Sequence, residues 1–141
     1  MITLTTTADA QADPDRAWAA LADVESWPQW TASVTSAKRL DEGPLRVGSK
    51  ARIKQPGLLP LVWEVSEIRE GEAFRWSTGN AASRTVGVHR LAANSDGTTQ
   101  ITLELEQSGA IGSLIGALMK GRFKRFLELE VAGLKAASES R

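Results

Sequence analysis

The sequence predicts an α+β fold in which seven strands, two short helices and one long C-terminal helix form a single domain over residues 1–141. Three observations carry this reading. Apolar and polar residues alternate with period two in the first and last strand segments. Turn-forming clusters divide the middle of the chain into short segments, and beyond Ile111 the apolar residues recur three and four apart.

The first strand runs to about Ala8, with Ile2, Leu4, Thr6 and Ala8 on one face and Thr3, Thr5 and Thr7 on the other. Asp13-Pro14-Asp15 then starts a helix. Asp13 offers an N-cap carboxylate, Pro14 suits the first helical position, and Asp15 sits near the positive end of the dipole. This helix reaches about Asp23 and can bury a narrow face formed by Trp18, Leu21 and Ala22. In Ser26-Trp27-Pro28-Gln29-Trp30 the proline restricts Trp27, which favours a short second helix or a turn.

Six strands follow over Val34–Leu40, Ser49–Gln55, Leu61–Ile68, Ala73–Thr78, Arg84–Ala93 and Thr98–Gln107. Clusters such as Gln55-Pro56-Gly57, Glu70-Gly71-Glu72 and Asn94-Ser95-Asp96-Gly97 separate them. Ile101, Leu103 and Leu105 alternate with Thr102, Glu104 and Glu106, as in a sheet with one covered and one wet face. From Ile111 to about Ala137, Met119, Phe123, Phe126, Leu127, Val131 and Leu134 form an apolar stripe, while Lys120, Lys124, Glu128 and Lys135 can reach water. One unbroken helix of that length would extend about 40 Å and cross the whole covered face.

Composition excludes several function classes. The chain has no cysteine, so disulfide frameworks, thiolate metal sites and cysteine nucleophiles are absent. Lys+Arg and Asp+Glu are both 17, with no run of basic residues, which argues against a nucleic-acid partner. No segment reaches the roughly 20 apolar residues of a membrane span, and the N-terminus lacks a signal-peptide pattern. The expectation is a cytoplasmic protein without stable membrane insertion, monomeric or homodimeric. A single histidine and scattered carboxylates give no metal-ligand spacing, and no cofactor is expected.

The order strand, two short helices, six strands, long helix resembles the helix-grip fold, in which a curved antiparallel sheet wraps around the last helix. Local sequences strengthen the likeness: Ala12-Asp13-Pro14-Asp15-Arg16-Ala17-Trp18, Asp23 with Trp27-Pro28-Gln29-Trp30, Lys54-Gln55-Pro56-Gly57, Leu61-Val62-Trp63-Glu64-Val65, Phe74-Arg75-Trp76 and His89-Arg90-Leu91. Over essentially its whole length the chain is similar to the polyketide cyclase/dehydrase-type family of the START-like SRPBCC superfamily. The resemblance implies a seven-stranded curved sheet and an enclosed cavity for a lipid- or polyketide-like ligand. It implies no single activity, because the superfamily includes lipid carriers, hormone receptors, cyclases and dehydratases.

Trp27, Trp30, Trp63 and Trp76 are the first candidate ligand contacts, since each supplies a large apolar wall with one N–H donor. Any one alone is equally an ordinary core residue; the four together favour a cavity. The expected wall is Trp63 and Trp76 with Ile53, Val65, Phe74, Leu103 and Leu105, joined by Met119 and Phe123 of the helix, with Trp27 and Trp30 roofing the mouth. His89 is the only side chain that titrates near neutrality without perturbation. If the Asn94–Gly97 turn pairs Leu91 with Ile101, His89 lies opposite Leu103 on the covered face; a one-residue slip turns it to solvent. Inward, it is either an acid/base candidate or a structural histidine, and no acidic residue stands at a matching strand position to orient it.

Arg75, Arg84, Glu64 and Glu67 are expected mainly on the wet face. Gly109, Gly112, Gly116 and Gly121 either leave pocket volume or permit close packing, at a cost of about 1 kcal/mol for each one inside a helix. Lys120, Arg122, Lys124 and Arg125 read as a solvated basic cluster, with contact to anionic lipid as the alternative. Three functions compete. The first is binding of a small hydrophobic ligand. The second is a cyclase/dehydratase using His89, which needs that residue inward. The third is a co-chaperone-like interaction domain, which needs an exposed apolar patch.

Overall fold

The computed structural model describes residues 1–141. The elements are β1 Ile2–Ala10, α1 Pro14–Ala22, a 3₁₀ turn at Val24–Ser26, α2 Trp27–Trp30, β2 Ser36–Arg39, β3 Lys50–Lys54, β4 Leu61–Arg69, β5 Ala73–Gly79, β6 Arg84–Ala93, β7 Thr99–Ser108, α3 Ala110–Leu118 and α4 Lys120–Glu139. The strands form one antiparallel sheet in the order β1-β7-β6-β5-β4-β3-β2. This is the helix-grip arrangement, an α+β fold in which α4 lies across the covered face. No helix is long and apolar enough to cross a membrane.

Local chemistry starts the helices where the sequence indicates. The Asp13 carboxylate accepts from the Arg16 backbone N–H at 3.0 Å, capping α1. Strand β1 extends past Ala8, because Asp9 and Ala10 continue the ladder against Gln100 and Thr99. Strand β2 is shorter than Val34–Leu40, although Val34 still buries itself in the core. The β6–β7 register pairs Leu91 with Ile101 and His89 with Leu103, so the histidine points to the covered face. Along β4 a bulge between Val65 and Glu67 bends the strand. Ion pairs occupy the outer face: Arg75–Glu106 at 3.0 Å, Lys50–Glu64 at 3.7 Å, and Arg90–Glu104.

The C-terminal helix departs from the sequence expectation. It is two helices, broken at Met119, whose φ of −105° and ψ of 14° leave the α region. Helix α3 turns aside to lie on the ends of the strands, and its glycines allow the approach. A Cβ on Gly112 would stand 3.1 Å from Ser83 Cα, and one on Gly116 would stand 3.0 Å from Gln107 Cβ. Close packing, not pocket volume, is what these two glycines serve. Helix α4 alone, at 20 residues, extends about 30 Å. Its Gly133 meets α2, where a Cβ would run into the Trp30 backbone carbonyl.

Candidate functional site

Between α4 and the sheet lies a cavity of about 90 Å³ lined by 20 residues, 13 of them hydrophobic. Alternation along the strands decides which side chains reach it. Ile53 of β3, Trp63 of β4, Trp76 of β5, His89 of β6 and Leu103 and Leu105 of β7 line the wall, and Phe123 faces them from α4. Trp27 closes one side, held by its indole N–H donating to the Leu21 carbonyl at 2.9 Å.

The other expected contacts lie outside the cavity. Trp30 does not roof the mouth, because its ring packs against α4 at Gly133. Val65 is core, 1% exposed; it shares the inward face of Trp63 and pairs with Trp76, but it lies outside the cavity lining. Phe74 sits behind the wall, stacked on the His89 ring at 4.1 Å and 16°. Met119 is at the helix break, away from the lining.

Aromatic rings fix the deep end. Trp27 and Trp76 approach to 5.2 Å, Trp63 and Trp76 to 5.6 Å, and Phe74 meets Trp76 edge-on at 5.3 Å. Gly87 makes room for this cluster, since a Cβ there would stand 3.0 Å from the Trp76 Nε1. A glycine inside a strand is the sequence signal of such an approach.

His89 is buried within these rings, 4% exposed, and both its nitrogens face a protein oxygen. Nδ1 is 3.3 Å from the Phe74 carbonyl, and Nε2 is 3.6 Å from Glu130 Oε1. A carbonyl only accepts, so Nδ1 carries the hydrogen, and in a neutral ring Nε2 is then an acceptor. Two acceptors repel. The contact with Glu130 is therefore attractive only when a proton resides on Nε2 or on the carboxyl group. At 3.6 Å it is an electrostatic contact rather than a hydrogen bond.

The expected lack of an acidic neighbour holds only for the strands, because Glu130 comes from α4. It falls four residues after Phe126 and three after Leu127, on the buried stripe of the helix, where a charge is out of place. That misplacement is the signal that identifies it. Gln107 is signalled the same way, since it continues the inward alternation of Ile101, Leu103 and Leu105 with a polar group. Its Oε1 accepts from the Thr85 hydroxyl at 2.9 Å, and both residues line the cavity. The site thus has an apolar middle, a His89–Glu130 pole and a Thr85–Gln107 pole. No group of three or more His, Cys, Asp or Glu side chains converges anywhere in the molecule.

Comparison with known structures agrees with the topology. A crystal structure of a hypothetical protein from Helicobacter pylori superposes with a TM-score of 0.81 at 13% identity, over 97% of this chain and 88% of that one. A Chromobacterium violaceum protein gives 0.70 at 19% identity, over 97% of both chains. A Thermus thermophilus protein gives 0.71 at 17%, over 99% of this chain and 95% of that one. No curated protein matches the chain significantly. The family model described as polyketide cyclase / dehydrase and lipid transport matches residues 1–139. With nearly the whole chain matched and the helix-grip topology in place, this protein belongs to the polyketide cyclase/dehydrase and lipid transport family.

Proposed function

We propose that the protein binds a small lipid- or polyketide-like molecule, apolar along its body with one hydroxyl or carbonyl group, in the cavity between α4 and the sheet. The observation that carries this is a partly open apolar space between α4 and the sheet whose wall holds one buried polar pair, His89 and Glu130. Binding sites are generally apolar with a few placed polar groups that fix orientation. At about 90 Å³ the space is below the roughly 150 Å³ that holds a benzene ring. Short ligands fit the wall as it stands, and longer ones require Leu58 and Phe126, half-buried at the rim, to yield.

Acid/base catalysis is the second reading, and the His89–Glu130 contact is what favours it. Against it, Phe74 and Glu130 face both ring nitrogens, so a substrate must displace Glu130 to reach Nε2. Ligand orientation is the simpler use of the pair. Titration with primary alcohols from ethanol to octanol, read by tryptophan fluorescence and calorimetry, tests the binding reading. Saturable binding that strengthens with chain length until the cavity is full supports it; absence of saturation for every alcohol refutes it.

A further inference from the structure

The two ends of the sheet differ in charge and polarity. At one end lie the β3–β4 turn, the β5–β6 turn and the start of α3, brought together by the pairs Ile53↔Leu61, Gly79↔Arg84 and Arg84↔Ser108. Backbone N–H groups of Ile111 and Gly112 donate to the Ala82 carbonyl, and Gly57 abuts the Arg122 guanidinium at the start of α4. The cavity reaches this end through Leu58, Leu61 and Phe126.

Of the large hydrophobic side chains exposed to solvent, all but Leu40 and Val47 belong to this end. Helix α3 carries no charged residue, and it presents Ile111, Leu114 and Leu118 outward at 54, 61 and 77% exposure. Leu59 at the tip of the β3–β4 turn is 82% exposed. Beside them Lys120, Arg122, Lys124 and Arg125 are all exposed, and none has a carboxylate partner within ion-pair distance. No Asp or Glu occurs between Glu106 and Glu128, in the β3–β4 turn or in the β5–β6 turn. The turns of the opposite end carry Asp41, Glu42, Glu70, Glu72 and Asp96 against a single basic residue, Arg46, which with Arg39 pairs with Asp41. Formal neutrality therefore conceals a bipolar molecule.

We propose that this end of the molecule, with α3 and the Leu59 turn as its apolar points, docks on an anionic lipid bilayer. Leucines on a short apolar helix enter the acyl boundary, while cations beside them meet the negative headgroups. A second copy is a poor occupant, because a two-fold contact through the patch would oppose the same four cations to one another. The docking does not depend on the cavity's being filled.

Co-sedimentation of the purified protein with vesicles of phosphatidylcholine alone, and of phosphatidylcholine with phosphatidylglycerol, tests this. The expected result is binding to the mixed vesicles only, weakening as salt rises. Lys124→Gln with Arg125→Gln is expected to reduce it by roughly tenfold or more, and Leu114→Ser with Leu118→Ser to abolish it. All four side chains lie outside the cavity lining, so melting temperature and alcohol binding should stay at the parent values. No binding to mixed vesicles at low salt overturns the proposal, as does binding that both variant pairs leave unchanged. A concentration-dependent dimer that Leu118→Ser dissolves, without vesicle binding, overturns it in favour of self-association.

Discussion

Replacing Leu103 by alanine measures how rigid the cavity wall is. Leu103 is 1% exposed, lies opposite His89 in the β6–β7 register and borders the empty space. The change removes three carbons, a loss of about 2.4 kcal/mol at about 0.8 kcal/mol per buried carbon. Neighbouring rings hold one another and leave little freedom to close the gap: Trp27 to Trp76 at 5.2 Å, Phe74 to His89 at 4.1 Å. The cost should therefore fall in the upper part of the about 2.7–5.0 kcal/mol range for such truncations, near 4 kcal/mol. For a chain of this length that corresponds to roughly 10–15 °C in Tm. Urea unfolding at constant m-value and calorimetry give the number. The enlarged space should also gain saturable benzene binding. A cost under about 2 kcal/mol with no benzene binding would show that the wall collapses, and the reasoning would fail.

Trp63→Ala should cost less than the usual 3–5 kcal/mol for a buried tryptophan, because its ring already faces empty space; complete loss of folding would return Trp63 to the packed core. His89→Gln should change alcohol affinity by about 0.5–1.5 kcal/mol, the worth of one hydrogen bond. A fall in turnover of roughly 10²–10⁴-fold on any substrate would instead support catalysis. Gly133→Ala places a methyl group against the Trp30 backbone and should destabilise by about 1–3 kcal/mol, seen as a lower urea midpoint. Acid stability draws in part on two carboxylates whose pKa values are lowered by hydrogen bonds. Hydrogen bonds from the Gln11 N–H and Lys135 hold Glu139 below its ordinary value, and bonds from the Thr98 hydroxyl and N–H do the same for Asp96. Their folded-state values are depressed, so their contribution is full above the ordinary carboxylate range and is lost as pH falls through the folded values. Glu139→Gln should shrink the loss of Tm between about pH 5 and pH 2; an unchanged slope would contradict the assignment.

Much of the fold was legible because alternation and turn chemistry are local. Ile101, Leu103 and Leu105 mark one face of β7, and the Leu91–Ile101 pairing on which an inward His89 depended is the one observed; the alternation alone left a one-residue slip open. The break at Met119 was not legible. It depends on where Gly112 and Gly116 meet Ser83 and Gln107, contacts between segments far apart in the chain. One of the four candidate tryptophans, Trp30, was misplaced for the same reason. Trp27 enters the cavity side and Trp30 turns to α4, and only the packing of α2 against Gly133 decides between them. Glu130 was overlooked because the helix stripe was read for its apolar members alone, so a carboxylate on the buried face went unmarked.

The most direct measurement is an NMR titration of the five indole N–H resonances with 1-butanol. Trp27, Trp63 and Trp76 line the cavity, whereas Trp18 and Trp30 do not, so the molecule contains its own controls. Binding in the cavity moves the first three resonances saturably and leaves the other two in place. Shifts confined to Trp18 or Trp30, or no saturable shift at all, would contradict ligand binding between α4 and the sheet.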